Sequence, residues 1–155
     1  MIDDFIPEDN EYYRKFYEKQ KKGSCGIACV AVYFHKNIKD VLRVDFPNYK
    51  GHMSIRDLHS LLILKYGLQC KWRNNHCKKT INLPPNKSAF ARIQWVGKGG
   101  KFHGYSSWHE ASCNTHFILI DADRFFTNDG GWAEIRWLPE YLEPGYITSY
   151  IEVPR

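Results

Sequence analysis

The chain has 155 residues, enough for one domain with a continuous hydrophobic core and little room for a second. Apolar residues make up 43% and charged residues 25%, a balance that excludes a largely disordered chain. Lys and Arg exceed Asp and Glu by 22 − 17 = 5, but no Walker loop, zinc-finger spacing or aromatic ribonucleoprotein signature accompanies that charge, so nucleic acid is not expected as a partner.

The N-terminus, Met1-Ile2-Asp3-Asp4-Phe5-Ile6-Pro7-Glu8, is acidic and lacks both the basic start and the apolar core of a secretory signal. The longest apolar run, residues 27–34, is far short of a membrane span. These features predict a cytoplasmic protein, or one exported without a classical signal peptide. The five cysteines are odd in number and not spaced as a disulfide framework, which fits a reducing compartment.

Residues 11–22 group Tyr12, Tyr13, Phe16 and Tyr17 at helical spacing beside Lys15, Lys19, Lys21 and Lys22, which predicts an amphipathic N-terminal helix or arm ending at Gly23. From Cys25 to about His35 nearly every side chain is apolar or small, so the helix expected there is central and buried on most sides. Residues 46–51 read as a loop. Ser54-Ile55-Arg56-Asp57 then resembles a capping box with Asp in place of Glu, and a leucine-rich helix follows until Gly67.

Beyond Gly67 the period changes. Residues 68–72 alternate like an edge strand, Pro84-Pro85-Asn86 breaks the chain, and residues 89–96 read as a strand. Residues 97–113 are Gly-rich, polar and without period, which predicts a long functional loop, with Gly97-Lys98-Gly99-Gly100-Lys101 read as a mobile lid beside the cleft. Strands over 115–122 and 124–127 are expected to form a hairpin, followed by a helical turn at 139–142 and a last apolar run at 147–153. Helices first and strands later make an α+β fold.

The residues that carry chemistry are Cys25 and His116. Cys25 lies in Gly23-Ser24-Cys25-Gly26-Ile27-Ala28-Cys29, where a small-residue turn enters the central helix. A thiol attacks an acyl carbon as thiolate, which unpaired N–H groups at a helix start stabilise and an imidazole generates by taking the proton. His116 opens the run His116-Phe117-Ile118-Leu119-Ile120 and is the expected base. Asp129, with Asn128 as the fallback, would return beside it and orient the ring. The Cys25 N–H and the Gln20 amide are the candidate oxyanion donors. Cys29, one turn further into the helix, suits a buried inert thiol.

Cys70, His76, Cys77, His103, His109, Cys113 and His116 contain no pair at structural-zinc spacing, and Gly97-Lys98-Gly99-Gly100-Lys101 lacks the Walker pattern. No metal or cofactor is expected. Trp108, Trp132 and Trp137 either wall a substrate groove or pack in the core.

The order of Gln20, the Gly23 to Cys29 turn, the capped helix with Gly67-Leu68, the strand at 89–96, His116 to Ile120 and Asn128-Asp129-Gly130 resembles that of the double-glycine-leader (bacteriocin-processing) cysteine peptidases. The resemblance implies a papain-like fold in which a helical subdomain bears the cysteine and an antiparallel sheet bears the histidine. It further implies Cys25 as nucleophile, His116 as general base, Asp129 as orienter and Gln20 as oxyanion donor. This chain departs from the family pattern in Ser24 where the family has Asp, one residue fewer between Gln20 and Cys25, Gly130 where the family has Pro, and a shorter His to Asp separation, 129 − 116 = 13.

A peptide or protein substrate is the first expectation. The same chemistry on a side-chain amide gives the alternative, a papain-like deamidase or transglutaminase-like toxin or effector, and a catalytically inactive papain-like binding module is the third reading. The sequence does not fix the oligomeric state.

Overall fold

The computed structural model describes residues 25–47, 49, 51 and 53–155. The expected N-terminal helix or arm and Gln20 lie outside the described residues, as do Gly23 and Ser24. The architecture is α+β: the longer helices precede an open, six-stranded, antiparallel sheet, and two short helices lie between its strands.

Helix α1, Cys25–Tyr33, has eight buried residues, Cys25 to Val32. A helix apolar all round must be covered all round. It packs against the sheet on one side, and a short α2, Ile38–Asp40, running into π-helical Val41–Asp45, touches it on another. Helix α3, Ile55–Leu64, starts as its sequence predicts: Ser54 Oγ accepts the Asp57 N–H at 3.0 Å. Gly67 ends this segment at φ 63, and a Cβ placed there would meet nothing within 4 Å. Gly67→Ala therefore strains the backbone without any clash, and a urea titration is expected to register a loss of about 1 kcal/mol.

The strands are β1 (Lys71–Lys78), β2 (Lys87–Trp95), β3 (Thr115–Asp121), β4 (Arg124–Thr127), β5 (Gly131–Glu134) and β6 (Gly145–Pro154), in spatial order β1-β6-β2-β3-β4-β5. The predicted hairpin forms, with Leu119 opposite Phe126 and Ala122 at φ 56 in its turn. The last apolar run becomes β6, which lies between β1 and β2.

Alternation along the central strands sends side chains into two cores, one on each face of the sheet. Phe90, Phe117, Leu119, Phe126, Ile151 and Val153 join α1 and α3 on the first face. Ala91, Ile93, Ile118, Ile120, Phe125 and Ile147 join Leu138 and Leu142 on the second, around α5, Leu138–Tyr141. No helix among the described residues is long and apolar enough to cross a membrane.

Two expectations need correction. The edge strand expected at 68–72 starts later, at Lys71, and runs to Lys78. Only Asn75 is buried in it, so the strand is held by its ladder to β6 and leaves no hydrophobic alternation to read. Asn75 Nδ2 donates to the carbonyls of Lys78, Thr80 and Ile147 and pins the bulge in this strand.

The 97–113 segment is also not a structureless loop. Bridges pair Gly100 with Gly104 and Phe102 with Tyr105, and α4, Trp108–Ser112, is capped by Ser107 Oγ, which accepts the Glu110 N–H at 3.1 Å. A Cβ on Gly100 would sit 2.0 Å from the Tyr105 carbonyl oxygen, so the Gly-rich composition reflects close backbone packing.

Candidate active site

Helix α1 begins with Cys25, and β3 passes beside that end. The main-chain N–H of Phe117 donates to Cys25 Sγ at 3.4 Å, and one turn further on Cys29 Sγ donates to the Phe117 carbonyl at 3.6 Å. The helix start and the strand carrying His116 are thus clamped together at the backbone. The buried Gln94 amide fixes the approach to β3 by donating to the carbonyls of Ala111 (2.9 Å), Trp95 (3.0 Å) and Asn114 (3.3 Å).

His116 is opposite Ile93 in the β2–β3 ladder, and its ring lies 6.3 Å from that of Trp95. Trp95 packs in turn 6.0 Å from Tyr141, on the second face of the sheet. Cys25 belongs to the first-face core. His116 alternates with first-face Phe117 and lies beside Trp95 of the second-face core, so no hydrogen bond joins imidazole and thiol, and among the described residues His116 Nε2 is buried with no hydrogen-bond partner. Resting Cys25 receives its hydrogen bond from the Phe117 backbone.

Burial dominates the electrostatics of both groups. It pushes the Cys25 thiol up, against the lowering effect of the N–H groups of Phe117, Gly26 and Cys25 itself, and Asp129 adds to the rise. Burial pushes the His116 imidazole down, with Asp129 opposing. Thiol and imidazole are therefore both neutral near neutral pH. At Cys25 desolvation thus outweighs the N–H groups of the helix start.

Asp129 is exposed, while Asn128 is buried at 5%. The Asp129 charge reaches Cys25, His116 and Tyr141. Its carboxylate also lines a cleft of about 400 Å³ with Gly130, Gly131, Trp137, Glu140 and Tyr141. Trp137 lines this cleft and is 49% exposed. Trp132 packs against the first-face core with its ring beneath Arg124 at 3.9 Å, and Trp108 is 64% exposed.

Sequence reasoning misses two tyrosines here. The Tyr49 hydroxyl is buried with no hydrogen-bond partner among the described residues, and burial with the Cys25 charge pushes it up. Tyr141 feels Asp129 and Cys25 and bonds to Thr127. Both reach the site only through tertiary packing, so no local pattern announces them. Among the described residues no three His, Cys, Asp or Glu side chains are grouped to hold a metal.

Folded His116 titrates below its unfolded value of about 6.5, so between those two values the unfolded chain binds more protons and stability falls as pH falls. The loss levels off once the folded imidazole is itself protonated. Melting curves between about pH 7 and about pH 5 are expected to show a steeper decline for the native chain than for His116→Asn. Parallel declines would contradict a buried, neutral imidazole.

No family model, curated protein or solved structure matches the chain.

Proposed function

We propose that the chain is a cysteine hydrolase of papain-like type that cleaves a peptide bond. The observation that carries this reading is the Phe117 N–H bonded to Cys25 Sγ, because it brings the thiol at a helix start against the strand position next to the candidate base. The Asp129 charge acting on both Cys25 and His116 supports the same grouping.

In this mechanism the neutral His116 imidazole takes the Cys25 proton as sulfur attacks the carbonyl carbon. A ring already lowered by burial is in its basic form at neutral pH. The N–H groups of Gly26, Phe117 and Cys25, which favour negative charge on sulfur at rest, remain as donors during attack. His116 then gives the proton to the leaving amine, the acyl group stays on sulfur as a thioester, and water releases it as a carboxylic acid. Asp129 favours the imidazolium formed between these steps.

Mass spectrometry of a peptide library after incubation tests the reaction. Backbone cleavage that requires Cys25 is the expected product. A gain of about one mass unit on glutamine, without cleavage, would replace peptidase by deamidase. No product, with Cys25 no more reactive than a buried bystander, would leave a binding module.

A further inference from the structure

The cleft of about 400 Å³ that Asp129 lines is built on the second face of the sheet, where Phe125 and Ala133 join the core around α5. Phe125 and Thr127 of β4 stand opposite Ala133 and Gly131 of β5 in the ladder, so these four positions share one face and make the floor. Trp137, Glu140 and Tyr141, at and just before α5, make the facing wall. Ring contacts run from Phe125 to Tyr141 at 5.5 Å, from Tyr141 to Trp95 at 6.0 Å and from Trp95 to His116 at 6.3 Å. The aromatic wall is thus continuous with the candidate base.

Two carboxylates, Asp129 and Glu140, line this cleft, and no lysine or arginine does. Among the described residues neither carboxylate takes part in an ion pair, since the cations pair instead with Asp40, Asp45, Asp121, Glu134, Glu143 and Glu152. In a chain of net charge +5, that leaves one cleft locally negative. Ring faces add attraction for a cation, and Arg136 shows the contact on this wall: its guanidinium carbon lies 5.1 Å from the Trp137 ring centre, while Glu134 Oε2 takes its charge from Nε at 2.9 Å. No third His, Cys, Asp or Glu joins the two carboxylates among the described residues, so the donor set suits an organic cation and not a metal ion.

We propose that this cleft binds the basic side chain of a peptide, its cationic group held between the Asp129 and Glu140 carboxylates and the Trp137 and Tyr141 rings. Arginine fits better than lysine, because a planar guanidinium both forks onto carboxylates and stacks on aromatic faces. The binding itself does not depend on the hydrolase reading. One consequence does rest on it: Asp129 lines the cleft and its charge reaches Cys25 and His116, so the peptides favoured for cleavage carry a basic residue close to the bond cut.

The test is an amide NMR titration of the full chain with Ac-Ala-Arg-Ala amide, with Cys25→Ala present to prevent turnover, against the same peptide carrying neutral citrulline in place of arginine. Saturable shifts are expected at Asp129, Gly130, Gly131, Ala133 and Tyr141, weakened by added salt and by roughly tenfold or more with citrulline. Trp137→Ala and Glu140→Lys are each expected to weaken arginine binding, the charge reversal by roughly tenfold or more. No saturable shift, equal affinity for the two peptides, or binding indifferent to Glu140→Lys in a variant of native circular dichroism overturns the proposal. A peptide library incubated with the native chain separates the two readings. Cleavage without preference for basic residues overturns the substrate assignment and leaves the hydrolase standing, whereas arginine binding without any cleavage supports the cleft and counts against the hydrolase.

Discussion

Cys25→Ala and His116→Ala are each expected to remove peptide-bond cleavage, with rates down by about a thousandfold or more, while melting temperature and circular dichroism stay near native. In the proposed mechanism Cys25→Ala deletes the atom that would form the thioester, so nothing else in the site would substitute for it. His116→Ala leaves sulfur in place, accepting from the Phe117 N–H, but burial keeps the proton on it and no base remains to remove that proton. Residues that act as a unit lose nearly everything on the first deletion, so the double variant is expected to be little worse than either single one. Full activity in either single variant, measured on the same peptide library, would refute the assignment.

The second large effect concerns stability. Phe90 is fully buried in the first-face core, on the strand between β6 and β3, with its ring 5.4 Å from Tyr33 at the end of α1. Phe90→Ala leaves a cavity between sheet and helix that neither rigid element can collapse to fill. A cost of about 3 to 5 kcal/mol is expected from urea denaturation, a large share of the stability of a domain this size. Because α1 carries Cys25, activity should fall with stability in this variant, while Ile63→Ala at a partly exposed position costs far less. A loss below about 1 kcal/mol for Phe90→Ala would mean that the helix and sheet do not pack as described.

The parts of the fold legible in the sequence are those where local pattern and tertiary demand agree. Helix α1 is readable because burial on every side leaves an unbroken apolar run, and α3 because Ser54 and Gly67 mark its ends with groups that the backbone requires. Strands β2 and β3 are readable for the same reason as α1, being buried on both faces. Strand β1 is legible only at its beginning, since an exposed edge is specified by its partner β6 and not by its own side chains. In α4 the capping residue Ser107 is visible, but the Gly-rich approach to it hides the helix.

The candidate site divides along the same line. Cys25 and His116 stand out in the sequence as candidates because a thiol at a helix start and an imidazole at a strand start are local features, and the fold adds the Phe117 N–H bonded to Cys25 Sγ. The ionisation state was not legible, because desolvation depends on atoms drawn from the whole chain. Asp129 and Asn128 are neighbours in sequence with opposite surroundings, one exposed and one buried, and only folding separates them. Tyr49 and Tyr141 enter through packing alone.

The proposed chemistry requires Cys25 and His116 to work as a pair. Iodoacetamide labelling near neutral pH, read cysteine by cysteine by mass spectrometry, tests it directly, because Cys77 and Cys113 are exposed internal standards. Cys25 alkylation is expected to slow by roughly tenfold or more in His116→Ala while Cys77 and Cys113 keep their rates. An unchanged Cys25 rate in that variant would contradict it.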